Sequence, residues 1–139
     1  MMNPESLLNH FKTRLLELGI RGVTSESINT GGEAFRPAGN RLWFEIAVAP
    51  GERLSSIETQ ERRLLTVTVT AAFPPGIGVA RGLAAATRVA RLYVPHDPRR
   101  GAFPVGEYRF YAVDVFLGPI GAAHGAIRIP VTFRLLSVG

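Results

Sequence analysis

Leu64-Leu65-Thr66-Val67-Thr68-Val69-Thr70-Ala71-Ala72-Phe73 leads directly into Pro74-Pro75-Gly76-Ile77-Gly78, and the fold class turns on how that junction is read. From about Arg63 to Phe73, Leu65, Val67, Val69 and Ala71 lie on one side of a period-two segment, while Thr66, Thr68 and Thr70 lie on the other. A strand with one apolar and one hydroxyl-bearing face is half exposed, which suits an antiparallel or mixed sheet rather than a doubly covered parallel one. The prolines and glycines then turn the chain into an expected helix over about Ile77–Tyr93. In it Val79, Leu83, Ala86, Ala90 and Tyr93 share a narrow stripe, with Arg81, Arg88 and Arg91 on the far side.

A glycine-rich turn such as Gly76–Gly82 can hold a phosphate on backbone N–H groups. A dinucleotide site, however, needs a buried parallel strand before the turn and a further strand after the helix that ends in an acidic residue. Here the preceding strand alternates with threonine, and Leu92-Tyr93-Val94 meets Pro95 with no room for a strand before Asp97. The turn therefore reads as a tight strand-to-helix junction, and no cofactor is expected.

Working outward, Asn3 is placed to cap a helix over about Pro4–Leu18, with proline at the first position and Gly19 ending it. Leu7, Leu8, Phe11, Leu15 and Leu18 form its packing stripe, and Leu16 is left outside. Arg21–Arg41 is rich in Gly, Ser, Thr and Asn and is expected to be a long loop or a short edge strand. A strand follows at about Leu42–Ala49 and is expected to stop at Pro50-Gly51. Val94–Gly106 carries three prolines and reads as an exposed loop, which together with Arg21–Arg41 could become ordered only on assembly. Two strands close the chain at about Glu107–Leu117 and Ala126–Leu136, and Pro130 in the last one argues for an edge position or a bulge. The sum is one α+β domain over residues 1–139: a small mixed or antiparallel sheet of about four to five strands with two helices packed on one face.

Composition narrows the function. With no cysteine, disulfides, thiolate metal sites and cysteine nucleophiles are excluded. His10, His96 and His124 share no metal-ligand spacing, and the acidic residues are dispersed, so neither a metal centre nor a two-carboxylate hydrolase is expected. His96-Asp97 has no nucleophile near it in sequence and reads as a solvated turn. No catalytic residue emerges, and the chain is not expected to be an enzyme. No apolar run is long enough for a membrane span, and Met1-Met2-Asn3-Pro4-Glu5 lacks the basic flank of a signal peptide, so synthesis in the cytoplasm and no membrane partner are expected.

The net charge of +5 rests on arginine, with Lys12 the single lysine. A GC-rich coding sequence and a need for bidentate anion contacts both produce that bias. Arg81, Arg88 and Arg91 on the second helix and Arg99-Arg100 after it are candidate nucleic-acid-contact or interface residues. No interleaved aromatics offer the stacking platform of a single-strand binder, although a small arginine-rich nucleic-acid module stays open as an alternative. Trp43 and Leu92, which interrupt polar faces as Leu16 does, are further candidate interface residues.

In this order of elements the chain resembles the tail terminator-like family of long-tailed bacteriophages and gene transfer particles. Pro4–Leu18 is similar to the family's opening helix, Glu33-Ala34-Phe35-Arg36-Pro37 to its loop with an aromatic before a proline, and Leu42–Gly51 to its strand ending in a Pro-Gly turn. The best match is Glu61–Tyr93, where Arg62-Arg63 precedes the threonine-valine strand, Pro75-Gly76-Ile77-Gly78 and an alanine-rich helix. The chain departs from the pattern in lacking a glycine between Arg63 and Leu64, and its last two strands are generic, which leaves a neighbouring neck or tail-completion family as the alternative. The resemblance implies a virion protein with no catalytic residues, made in the host bacterium. It would form a ring, taken as a homohexamer, that caps the tail-tube protein, meets the head-tail connector or stopper protein, and lets DNA pass through a channel lined by Arg99 and Arg100 or by the helix stripe of Arg81, Arg88 and Arg91.

Overall fold

A computed structural model describes residues 3–31, 35, 39, 41–57 and 60–139, with side chains described outside residues 52–60. The elements run α1 (Pro4–Glu17), β1 (Ile28–Asn29), β2 (Trp43–Ile57), β3 (Gln60–Phe73), α2 (Val79–Ala90), β4 (Ala102–Val105), β5 (Tyr108–Leu117), β6 (Gly121–Ala123) and β7 (Ala126–Val138). The class is α+β, with both helices on one face of a mixed sheet as expected. The sheet has seven strands rather than four to five, in the order β1-β2-β3-β7-β5-β4 with β6 beside β7. Among the described residues only β1 and β2 pair in parallel.

The inner face follows from register. Phe44, Ala71 and Ile129 lie abreast across β2, β3 and β7, as do Ile46, Val69 and Val131, and Val67 stands beside Phe133. On α1, Leu7, Phe11 and Leu15 are fully buried one turn apart, and the Asn3 side chain accepts the Glu5 N–H at 3.0 Å to cap the helix. α1 packs over β2 and β4, while α2 packs over β7, β3 and β5. Rings gather where α1 meets the sheet: Phe11 lies 5.2 Å from Phe133 and 5.9 Å from Tyr93, and Tyr93 stacks on Phe103 at 4.2 Å.

Four expectations are corrected. The buried side of α2 is Gly82, Ala85, Ala86 and Val89, whereas Val79 and Leu83 are 42% and 41% exposed. Small residues let the helix backbone approach the sheet, and a Cβ on Gly82 would lie 2.0 Å from the ring of the buried Phe73. β2 does not stop at Pro50-Gly51 but continues through a register shift between Pro50 and Arg53. β1 reaches only Phe44 and Glu45, so beyond them β2 is an edge on that side, where proline forfeits no ladder bond.

Pro130 lies in β7, which is flanked by β3 and β5 and is no edge. The Pro130 carbonyl accepts the Gly118 N–H at 2.8 Å, so its missing donor faces the gap between the end of β5 and the start of β6. The segment Val94–Gly106 is not a loop awaiting a partner, because it contains β4 and an ordered turn described below. Of Arg21–Arg41, the expected short edge strand is β1, preceded by a 3-10 turn at Ser25–Ser27. Within Glu33–Pro37, only Phe35 is among the described residues.

Candidate functional site

The end of α1, the end of α2 and the turn after α2 enclose a cleft of about 570 Å³ walled by Arg14, Arg88, Arg91, Arg99 and Arg100. Its remaining lining is aliphatic, from Leu18 and Leu92, and no carboxylate contributes. Four of the arginines expected from sequence are thus brought together. Arg81 is separated from them and opens with Arg21 and Arg41 on a second, smaller hollow at the start of α2. Arg14 and Leu18 belong to the first cleft although neither was marked by sequence; Leu18 had been assigned to the packing stripe and is half-buried.

The turn that carries Arg99 and Arg100 is built by Asp97. Its Oδ1 accepts the Arg99 N–H at 2.9 Å and the Arg100 N–H at 2.8 Å, bonds that favour the ionised carboxylate and lower its pKa. The Val94 N–H donates to the Arg100 carbonyl at 3.0 Å and the Gly101 N–H to the Asp97 carbonyl at 2.9 Å. Gly101 is required there, since a Cβ would come within 2.1 Å of the Val94 carbonyl oxygen. His96 sits exposed in the left-handed region at φ 63°, a turn position as expected.

The five guanidinium groups are not equally free. Arg14 pairs with Glu17 at 2.9 Å and lies 5.9 Å from the centre of the Tyr93 ring, and Arg88 donates to the Leu18 carbonyl, tying the two helix ends together. The side chains of Arg91, Arg99 and Arg100 make no hydrogen bond or ion pair among the described residues, although the Asp97 charge lies near Arg100. Three cations therefore face solvent from one open hollow.

Behind the cleft, His10 Nε2 and Tyr93 Oη are 2.5 Å apart, and His10 stacks on Phe103 at 4.5 Å. Burial first, then the Arg14 charge, pushes the His10 pKa down, and burial pushes the Tyr93 phenol up to about 12. Both shifts favour the neutral form, and the bond joins α1 to the segment after α2. Among the described residues no three of His, Asp and Glu come together as a metal group, and no helix is long and apolar enough to cross a membrane.

Trp43 lies on the helix-free face of the sheet, 5.5 Å from the Arg128 guanidinium and 5.4 Å from the Phe35 ring, and Arg128 is ion-paired with Glu45. Two apolar exposures were not marked by sequence: Phe116, Leu117 and Ile120 at the end of β5 and just beyond, at 45%, 38% and 50%, and Val79 with Leu83 on α2.

No family model matches the sequence, and no curated protein matches it. Five chains of solved structures match its fold. One, whose name states no function, has a TM-score of 0.64 at 17% identity and covers 100% of this chain and 97% of its own. Another, from the virion of a native gene transfer agent particle, has a TM-score of 0.54 at 16% identity and covers 92% of this chain and 94% of its own. At these identities the likeness is one of fold, over nearly the whole length of both partners.

Proposed function

We propose that the chain is a structural virion protein of a phage-like particle, and within that class a tail-terminator-like subunit. It assembles as a ring of six that ends tail-tube growth and receives the head connector, and it carries out no catalysis. The observation that carries this reading is the end-to-end fold match to a chain of a gene transfer agent virion, with 92% of one chain and 94% of the other superposed.

The surface supports the reading physically. A ring of identical subunits needs a heterologous contact, in which two unlike patches of one molecule meet on neighbours. Val79 and Leu83 on the helix layer, and Phe116, Leu117 and Ile120 at the end of β5, are two such unlike patches. The edges at β4 and along β2 add unpaired backbone for strand addition.

Mass photometry of the purified chain, alone and with tail-tube protein, tests the proposal. Particles with the mass of six copies of the 15.1 kDa chain are expected, seen as rings by negative stain and lost in Leu83→Glu or Phe116→Glu. A chain that remains a monomer in both settings, and does not bind tube ends, overturns it.

A further inference from the structure

We propose that the arginine-walled cleft is the docking site for an acidic segment of a different protein, one in which Asp or Glu side chains flank an aliphatic residue. Among the described residues five guanidinium groups converge with no lining carboxylate, and three of them have no hydrogen-bonding partner, so the cleft favours negative charge. Its wall is set in advance by the Asp97 turn and by the Arg88 bond to the end of α1. Little ordering is left to accompany binding.

Two observations point to a peptide rather than to nucleic acid. Leu18 and Leu92 lie among the arginines, and an aliphatic side chain covers them favourably, whereas a hydrated phosphate gains nothing there. No aromatic side chain lines the cleft, so bases have no stacking surface. A second copy of this chain is a poor occupant, because its acidic residues are dispersed and form no run. Bidentate guanidinium-carboxylate pairing then supplies specificity, and the leucines supply apolar contact.

This inference deepens the proposed ring role by giving the chemistry of one neighbour, but the cleft lies within a single subunit and is assayed there. The test is fluorescence anisotropy on the full chain with a short glutamate-rich peptide containing leucines, the same peptide with the leucines changed to serine, a DNA duplex, and inorganic phosphate as competitor. The leucine peptide is expected to bind best and to weaken as salt rises. Arg91→Glu and the double change Arg99→Glu with Arg100→Glu are expected to weaken it by on the order of tenfold. Arg109→Glu, the same charge change at an exposed site on β5, is expected to leave it intact. Equal binding of the serine peptide, displacement by inorganic phosphate, or preference for the duplex through the same arginines overturns the proposal. A chain that binds the peptide but forms no rings refutes the ring reading alone.

Discussion

Replacing Gly82 by alanine isolates the contact that seats α2 on the sheet. On an exposed helix position the change stabilises by about 1 kcal/mol, because alanine loses less backbone freedom than glycine. At Gly82 the new methyl would lie 2.0, 2.3 and 2.7 Å from three atoms of the Phe73 ring, and Phe73 is fully buried. Carbon atoms pack at roughly 3.5–4.0 Å, so ring or helix must move by about 1.5 Å against a close-packed surround. Overpacking of that kind costs about 1–3 kcal/mol. The two effects oppose, and the larger decides: a net destabilisation of about 1 kcal/mol, or roughly 2–5 °C in Tm for a domain of this size. Thermal unfolding followed by far-UV circular dichroism measures it, with Ala84→Gly on the exposed side as the propensity control. Phe73→Leu placed in the Gly82→Ala background should recover part of the loss, since the space vacated by the ring admits the methyl. A rise in Tm for Gly82→Ala, with no coupling to Phe73, would refute the close seating of α2.

Other consequences are measured separately. Because the His10 pKa is lowered by burial and by Arg14, the folded chain binds fewer protons there than the unfolded chain just below the ordinary value of 6.5. The stability it contributes is present above that pH and lost as pH falls toward the folded pKa; a Tm series across this window should show a decline that His10→Gln flattens. Tyr93, raised to about 12, contributes stability below pH 10.0 that is lost as pH rises through the folded value, so an ultraviolet phenolate titration should show one tyrosine ionising last. Asp97→Ala frees two backbone N–H groups and should raise amide exchange at Arg99 and Arg100, whereas Asp97→Asn keeps the acceptor and should not. Gly51→Ala should cost about 1–3 kcal/mol in urea unfolding, because its Cβ would meet the Leu64 carbonyl oxygen at 2.0 Å.

β3 was legible because its surroundings are simple: one covered face and one open face impose strict alternation, and the threonines of the open row record it. β4 and β6 escaped notice because segments this short carry too few alternating residues to stand out, and Pro104 and Gly121 read as breakers although an edge strand tolerates both. The stripe of α2 was misplaced by weighing bulk. Val79 and Leu83 look like core, but the helix sits close only because Gly82, Ala85 and Ala86 are small, and closeness leaves no space for the larger side chains. The same reasoning explains the site. Arg88, Arg91, Arg99 and Arg100 are near in sequence and could be grouped by eye, whereas Arg14 and Leu18 join them only because α1 and α2 end side by side, a tertiary fact that no local period encodes.

The two faces of the sheet divide the labour in a way that bears on assembly. The inner row is filled by aromatic and branched side chains and forms one core with the facing sides of the two helices. The outer row at the middle of the sheet is Thr66, Thr68 and Thr70 on β3, with Thr132 directly beside Thr68 on β7. Hydroxyl-bearing, β-branched residues keep strand propensity while offering little apolar area, and the exposed Phe116 lies directly beside Thr132 at the β5 end of this row. Exposed apolar area is instead displaced to the end of β5 and to the flank of α2, and unpaired positive charge to the cleft at the helix ends. Exposed apolar side chains and exposed positive charge thus lie at separate places on the surface, so the proposed ring contacts and the proposed acidic docking site need not share a residue.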